Sequence, residues 1–250
     1  MEQINKSKIK IVWLCHFSNP QIRANLPLKK KRPLYHFLRK LLRLSPKDDQ
    51  PGDFASWVTN GIEEIKKRDN IELHVISPQT ALKGFTSEFI LDGVNYYFYN
   101  PNFTLFLMHF IKNNALWKKL QTSSKYANRF IKKIQPDIIN LIGAENPYHS
   151  VAALDVKQNI PIMVSLQTVY TNPDRLKFYP NVDKSKNWYI AKLIHEQCRY
   201  FGATGRMHHD LLLKDNPNAI VFSLSWCSSA LPDVKVLDKE YDFVNFAAKL

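Results

Sequence analysis

Glycine is scarce in this chain, seven in 250 residues, and no G-x-G-x-x-G turn follows the first apolar strand. That excludes the usual dinucleotide fingerprint, whose glycines let backbone approach a pyrophosphate. The sequence also lacks a G-x-x-x-x-G-K-[ST] loop and a G-x-S-x-G elbow, so neither a P-loop nor a hydrolase nucleophile turn is encoded. No Asp-x-Asp pair is available to hold a divalent ion against a diphosphate. The adjacent His208 and His209 would point to different faces of a helix. No metal is expected. Cysteine is rare, and Cys15, Cys198 and Cys227 lie too far apart for a metal or redox motif, which suits a reducing compartment. There is no run of eighteen apolar residues to span a bilayer. The polar stretch Met1–Lys8 leads straight into a strand, unlike a secretory signal. A cytoplasmic location is the expectation. Internal repeats and low-complexity tracts are absent as well.

Acidic residues are outnumbered: 22 Asp+Glu stand against 35 Lys+Arg, leaving a formal charge of +13. An excess of this size calls for anionic partners. Its distribution narrows the choice. Between Lys29 and Lys47 fall eight basic residues (Lys29, Lys30, Lys31, Arg32, Arg39, Lys40, Arg43, Lys47) and no acid. Leu34, Phe37, Leu38, Leu41 and Leu42 recur there at helical spacing, forming one apolar stripe. A basic amphipathic helix suits an anionic membrane surface, with Lys29, Lys30, Lys31, Arg32 and Arg39 at the headgroups and Phe37, Leu38, Leu41 and Leu42 in the interface. A stripe packed on the core with a solvated charged face is the other reading of the same pattern. Nucleic acid is not an expected partner, because no recognised nucleic-acid module accompanies the charge.

Strand-type and helix-type runs alternate along most of the chain. Strands are expected at Lys8–Cys15, Ile71–Ile76, Phe89–Leu91, Val94–Tyr99, Asp137–Ile142, Ile160–Leu166, Tyr200–Thr204 and Ala219–Leu224. Asp92-Gly93 is the turn pair of a hairpin. Helices are expected at Phe54–Arg68 behind an Asp53 cap, at Phe103–Lys112 and at Leu116–Ile134. Further helices follow at Pro147–Gln158 behind an Asn146 cap, at Asn187–Arg199 and at His208–Leu213. This alternation predicts a Rossmann-like, doubly wound, mainly parallel α/β sheet. Ligands of such sheets bind outside the carboxyl ends of the strands. The loops opening at His16, Gly143 and Gln167 are therefore the candidate site. Tyr241–Leu250 starts a new apolar strand pattern, read as the first strand of a second domain after a first domain over 1–240.

Several segments, in order, carry a resemblance: KIKIVWLCHFSNP, PDIINLIGAENPYHSVAAL, IPIMVSLQT, YFGATGRMHHDLLLKDNPNAIVF and DFVNFAAKL. Together they resemble the N-terminal domain of GT-B glycosyltransferases of family 4, the group 1 glycosyl transferases. The resemblance implies retaining, metal-independent sugar transfer from a nucleotide sugar to a saccharide or lipid-linked acceptor, in cell-surface polysaccharide synthesis. It implies no cofactor, and a nucleotide-sugar co-substrate held mainly by a C-terminal domain beyond Leu250. The catalytic residues are not assigned. The acceptor loop of the family begins after the first strand, at His16, Ser18 and Asn19, where turn formation explains Ser-Asn-Pro equally well. Many members place a histidine where this chain has Ile142, so the acceptor groups here would be Glu145, Asn146 and His149. Gln167 and Thr168 end the next strand, and an amide that both donates and accepts suits sugar hydroxyls. Arg206 matches a Gly-Arg position of the family and would bind phosphate or brace an interdomain cleft. The alternative class is a non-catalytic carbohydrate- or partner-binding module on the same fold.

Overall fold

The structure, a computed structural model, describes residues 8–29, 41, 53–101, 124–156 and 159–225. The expected membrane contacts Lys30, Lys31, Arg32, Phe37, Leu38, Arg39 and Leu42 lie outside those residues. So do the helix expected at 103–112, residues 116–123 of the next one, and the strand expected at 241–250.

Eight strands form one sheet. They are β1 (Ile9–Leu14), β2 (Ile71–Pro78), β3 (Thr86–Leu91), β4 (Val94–Tyr99), β5 (Ile138–Ile142), β6 (Ile162–Ser165), β7 (Tyr200–Ala203) and β8 (Ile220–Ser223). Their spatial order is β3-β4-β2-β1-β5-β6-β7-β8, and only β3 runs antiparallel to its neighbour. The antiparallel pair is the hairpin at Asp92-Gly93, whose φ values of 49° and 78° are both positive, as a type I′ turn requires. No helix among the described residues is long and apolar enough to cross a membrane.

The pleat divides the core in two. Val12, Leu14, Ile76, Tyr97 and Tyr99 face one apolar cluster, while Trp13, Cys15, Val75, Tyr96 and Phe98 face the other. Apolar residues at successive positions are what a sheet covered on both faces needs. The first cluster is closed by α3 (Lys125–Ile134), α4 (Val151–Leu154), α6 (Lys186–Gln197) and α7 (Gly205–Asp215). The second is closed by α1 (Pro20–Ala24) and α2 (Ser56–Ile65). A four-residue turn of helix, α5 (Arg175–Phe178), lies between β6 and α6. In α2, Gly61 lies against the Trp13 ring: a Cβ there would stand 2.8 Å from Trp13 Cη2. The helix can sit this close to β1 only because that position has no side chain.

Helix α7 starts at Gly205, three residues before the expected His208, and two other helix starts differ from the sequence expectation for local reasons. α2 does not begin on an Asp53 cap. Ser18 and Phe54 exchange backbone hydrogen bonds (3.3 and 3.1 Å), Asp53 pairs with Arg23 at 2.6 Å, and the helix starts after Ala55 in left-handed conformation. Residues 147–150 form turns rather than the first turn of a long helix. The Asn146 side chain accepts from Tyr148 N–H at 2.9 Å, and the Ser150 hydroxyl donates back to Gly143 O at 2.9 Å. Such side-chain bonds compete with the helical ladder. Only Val151–Leu154 is helical, and residues 157–158 lie outside the described part.

Candidate functional site

β1 is bonded to β2 on one side and to β5 on the other, so the chain winds away from their junction in both directions. In an open α/β sheet the crevice at such a reversal, outside the carboxyl ends of the strands, is the expected ligand position. A pocket of about 150 Å³ opens there. It is lined by His16 from the turn after β1, by Phe54 and Trp57 at the start of α2, by Ile142, Gly143, Glu145, Asn146 and His149 after β5, and by Gln167 and Thr168 after β6.

Each loop is held in place by what surrounds it. His16 sits between buried Cys15 and Phe17, and its ring meets Phe54 edge-on at 4.6 Å. Gly143 N–H continues the ladder to Ser165 O at 2.9 Å, after which the backbone turns through φ +84°. Few residues other than glycine take that conformation cheaply. The turn folds the Glu145 carboxylate back over Gly143, its oxygens 3.5 and 3.6 Å from where a Cβ would stand. Leu166 N–H is tied to Gly202 O at 2.8 Å and Val169 is fully buried, so Gln167 and Thr168 sit on an anchored loop, Gln167 exposed and Thr168 half-buried.

His149 is the most constrained member. Its side chain is 2% exposed and its Nε2 lies 2.9 Å from Ile142 O. A carbonyl can only accept, so Nε2 carries the proton and Nδ1 presents a lone pair. That Nδ1 has no hydrogen-bond partner among the described residues. Burial lowers the His149 pKa to about 4, the bond to Ile142 opposing the shift and nearby His16 adding to it. Burial lowers the pKa of His16 too. Both imidazoles are neutral at pH 7, so neither brings a positive charge to the pocket. Desolvation pushes the buried Cys15 thiol far up, so it supplies no thiolate.

The remaining candidates lie elsewhere. Asn19 caps α1, accepting from Ile22 N–H at 2.9 Å, and its amide reaches Thr59 Oγ1 at 3.3 Å. Ser18 is buried and accepts from Arg23 at 2.9 Å. Neither lines the pocket. Arg206, at the start of α7, has a 95% exposed side chain and stands 3.9 Å from Asp210. It borders a separate open depression at the ends of β7 and β8, with Gly205, His209, Asp210 and Phe222. Lys29 is exposed, its backbone N–H bonded to Ala81 O at 2.8 Å. A wider hollow of about 770 Å³ lies at the opposite edge of the sheet, where Pro136, Asp137 and Ile160 lead into β5 and β6. That edge is not where open α/β sheets bind ligands. Among the described residues no three His, Cys, Asp or Glu side chains gather as a metal site. The sequence reading missed Phe54 and Trp57. The one available signal was two aromatics at the predicted start of a helix that packs beside β1.

No family model matches the chain, and a comparison with curated proteins finds no match. Among solved structures, the chain is similar to sucrose-phosphate synthase from Thermosynechococcus elongatus, at 8% identity and a TM-score of 0.47, over 86% of this chain and 47% of that one. It is similar to UDP-N-acetylglucosamine 2-epimerase from Rickettsia bellii at 12% identity and a TM-score of 0.42, over 86% and 44%. It is also similar to α,α-trehalose 6-phosphate synthase from Burkholderia multivorans at 12% identity and a TM-score of 0.42, over 84% and 43%. The chain spans just under half the length of each of these proteins.

Proposed function

We propose that this chain is the acceptor-binding half of a two-domain GT-B glycosyltransferase, and that the pocket between β1, β5 and β6 holds the acceptor sugar. The observation that carries the reading is the convergence of His16, Glu145, Asn146, His149, Gln167 and Thr168 in one crevice, from three loops spread over about 150 residues of chain. Carboxylate, amide, hydroxyl and imidazole groups beside two aromatic rings are what a polyhydroxylated ring needs: hydrogen-bond partners for its edge and apolar surface for its C–H face. The ordered sequence resemblance to family 4 supplies the reaction class.

In this reading the acceptor hydroxyl attacks the anomeric carbon of a nucleotide sugar, and the bond from that carbon to the diphosphate breaks with retention of configuration. The donor is held mainly by a second domain, and the pocket's part is to position the attacking hydroxyl. Arg206 would face the diphosphate or the second domain. The reaction would take place at an anionic membrane surface, with the basic 29–47 segment in contact with lipid and a saccharide or lipid-linked acceptor presented there.

The test is sugar transfer by the protein with its donor domain attached. Glu145→Ala and Gln167→Ala each remove one hydrogen bond to the acceptor, about 1 kcal/mol, and turnover should fall roughly fivefold or more while thermal stability holds. Wild-type turnover in both variants would take the pocket out of the reaction.

A further inference from the structure

The loop after β6 brings Gln167 and Thr168 to the pocket, and the chain is fastened on both sides of them. Before them, Leu166 N–H donates to Gly202 O of β7 at 2.8 Å. After them the chain enters the core, where Val169 and Thr171 are buried. The Thr171 hydroxyl donates to Asp215 Oδ2 at 2.7 Å. His195 Nδ1 lies 2.9 Å from the same oxygen and 3.2 Å from Thr171 Oγ1. A carboxylate only accepts, so Nδ1 carries the His195 proton and shares it between Asp215 and Thr171. Burial works to raise the Asp215 pKa, but the bonds from His195 and Thr171 and the Lys192 charge outweigh it, and the carboxylate stays ionised at pH 7. The cluster joins three segments: Thr171 follows β6, His195 stands in the last turn of α6, and Asp215 ends α7. Asn216 ties the two helix ends together, its amide donating to His195 O at 2.9 Å and to Cys198 O at 2.8 Å. The His195 ring is fully buried and meets Phe201 of β7 edge-on at 6.0 Å.

We propose that Thr171, His195 and Asp215 are positioning residues of the acceptor site, their buried cluster fixing where Gln167 and Thr168 stand against the acceptor. The inference rests on the acceptor-site reading above and adds to it three residues that lie behind the pocket wall. Gln167 is exposed and Thr168 half-buried, so burial of their own side chains does little to place them. Their position comes instead from the two anchors, a strand end just before them and a buried hydroxyl three residues after. A hydrogen-bonded network in a low-dielectric interior rigidifies what it joins, and it weakens sharply when one member is removed. Placement of this kind matters to a transferase, because a shift of about 1 Å can cost on the order of 100-fold in rate.

The test begins with ¹⁵N relaxation on the 250-residue chain. Gln167 and Thr168 should show amide order parameters of about 0.85, the value of rigid backbone. Thr171→Val keeps the side-chain shape and removes the hydroxyl. It should lower both order parameters to about 0.6 or less, while β5 and β6 stay rigid and a thermal melt shows the fold intact. Asp215→Asn, which keeps the shape and weakens both bonds, is the milder second variant and should move the same amides in the same direction. In the protein with its donor domain attached, Thr171→Val should lower kcat/KM for the acceptor at least about tenfold, with KM for the nucleotide sugar unchanged. Thr171→Ser, which returns the hydroxyl, should recover most of the order and most of the rate. A loop already below about 0.6 in the parent chain, or one as rigid in both variants as in the parent, would overturn the inference and leave the acceptor-site reading standing. A loosened loop with transfer unchanged would remove the acceptor-site reading, and this inference with it.

Discussion

His149 ties the site to the stability of the fold. In the unfolded chain its imidazole takes a proton below about pH 6.5. In the folded protein burial delays that to about pH 4. Between those values the unfolded state binds more protons, so stability rises with pH across this window and is lost as pH falls through it. A displacement of this size corresponds to something on the order of 3 kcal/mol. His16 and His74 are displaced in the same direction, again mainly by burial. Urea unfolding should show a clearly lower midpoint at pH 5 than at pH 7. His149→Leu should be less stable at pH 7, having lost the bond to Ile142 O, but should show a shallower pH slope. An unchanged slope would mean that His149 does not stay neutral in the fold.

At the scale of elements, the caps are where the chain departs from its easiest conformations. Helix α3 ends on Gln135 at φ 52° and ψ 63°, left-handed geometry that costs a residue with a Cβ roughly 1–2 kcal/mol. Glycine is the usual occupant there. Gln135 is exposed and its side chain closes no core contact. Gln135→Gly should therefore raise stability by about 0.5–1 kcal/mol, net of the entropy glycine adds to the unfolded chain, and a melting curve would register it. The same physics decides what could be read from the sequence. The strands were legible because a sheet buried on both faces needs runs such as IINLI, which hardly any other element uses. The hairpin was legible because Asp-Gly is a turn by its own chemistry. The helix expected over Pro147–Gln158 was not, because the apolar spacing is real but Asn146 and Ser150 spend their side chains on local backbone groups. Six of the eight acceptor candidates fell into one pocket because loops at strand ends are located by topology alone. For Trp57 the sequence offered only an aromatic near a helix start, since which face of α2 reaches the crevice depends on the Ser18–Phe54 bridge, a contact between segments 36 residues apart that periodicity does not encode.

Across the whole molecule, charge and chain order set the remaining expectations. Within the basic segment 29–47 the structure describes Lys29 and Leu41, both exposed, Leu41 to 68%. If that segment rests on lipid, each Lys or Arg contributes about 1 kcal/mol near an anionic surface, fading with salt. The protein should co-sediment with phosphatidylglycerol vesicles at low ionic strength and leave them as salt rises. Replacing Lys29, Lys30, Lys31 and Arg32 with glutamine, or Leu38 and Leu41 with serine, should weaken that binding with stability nearly unchanged. Unfolding of the serine variant, with no vesicle binding in the parent protein, would assign the stripe to the core.

The order of the strands also has a history in time. β1 is made first and ends at the middle of the sheet, and its second partner, β5, follows 127 residues later. At about 5–20 residues per second, a ribosome needs roughly 6–25 s to cover that distance. Throughout that interval one edge of an apolar central strand has no native neighbour, and an unpaired edge is a template for pairing with another chain. Until β5 emerges, the growing chain thus depends on whatever shields that edge, a demand that the finished sheet no longer shows.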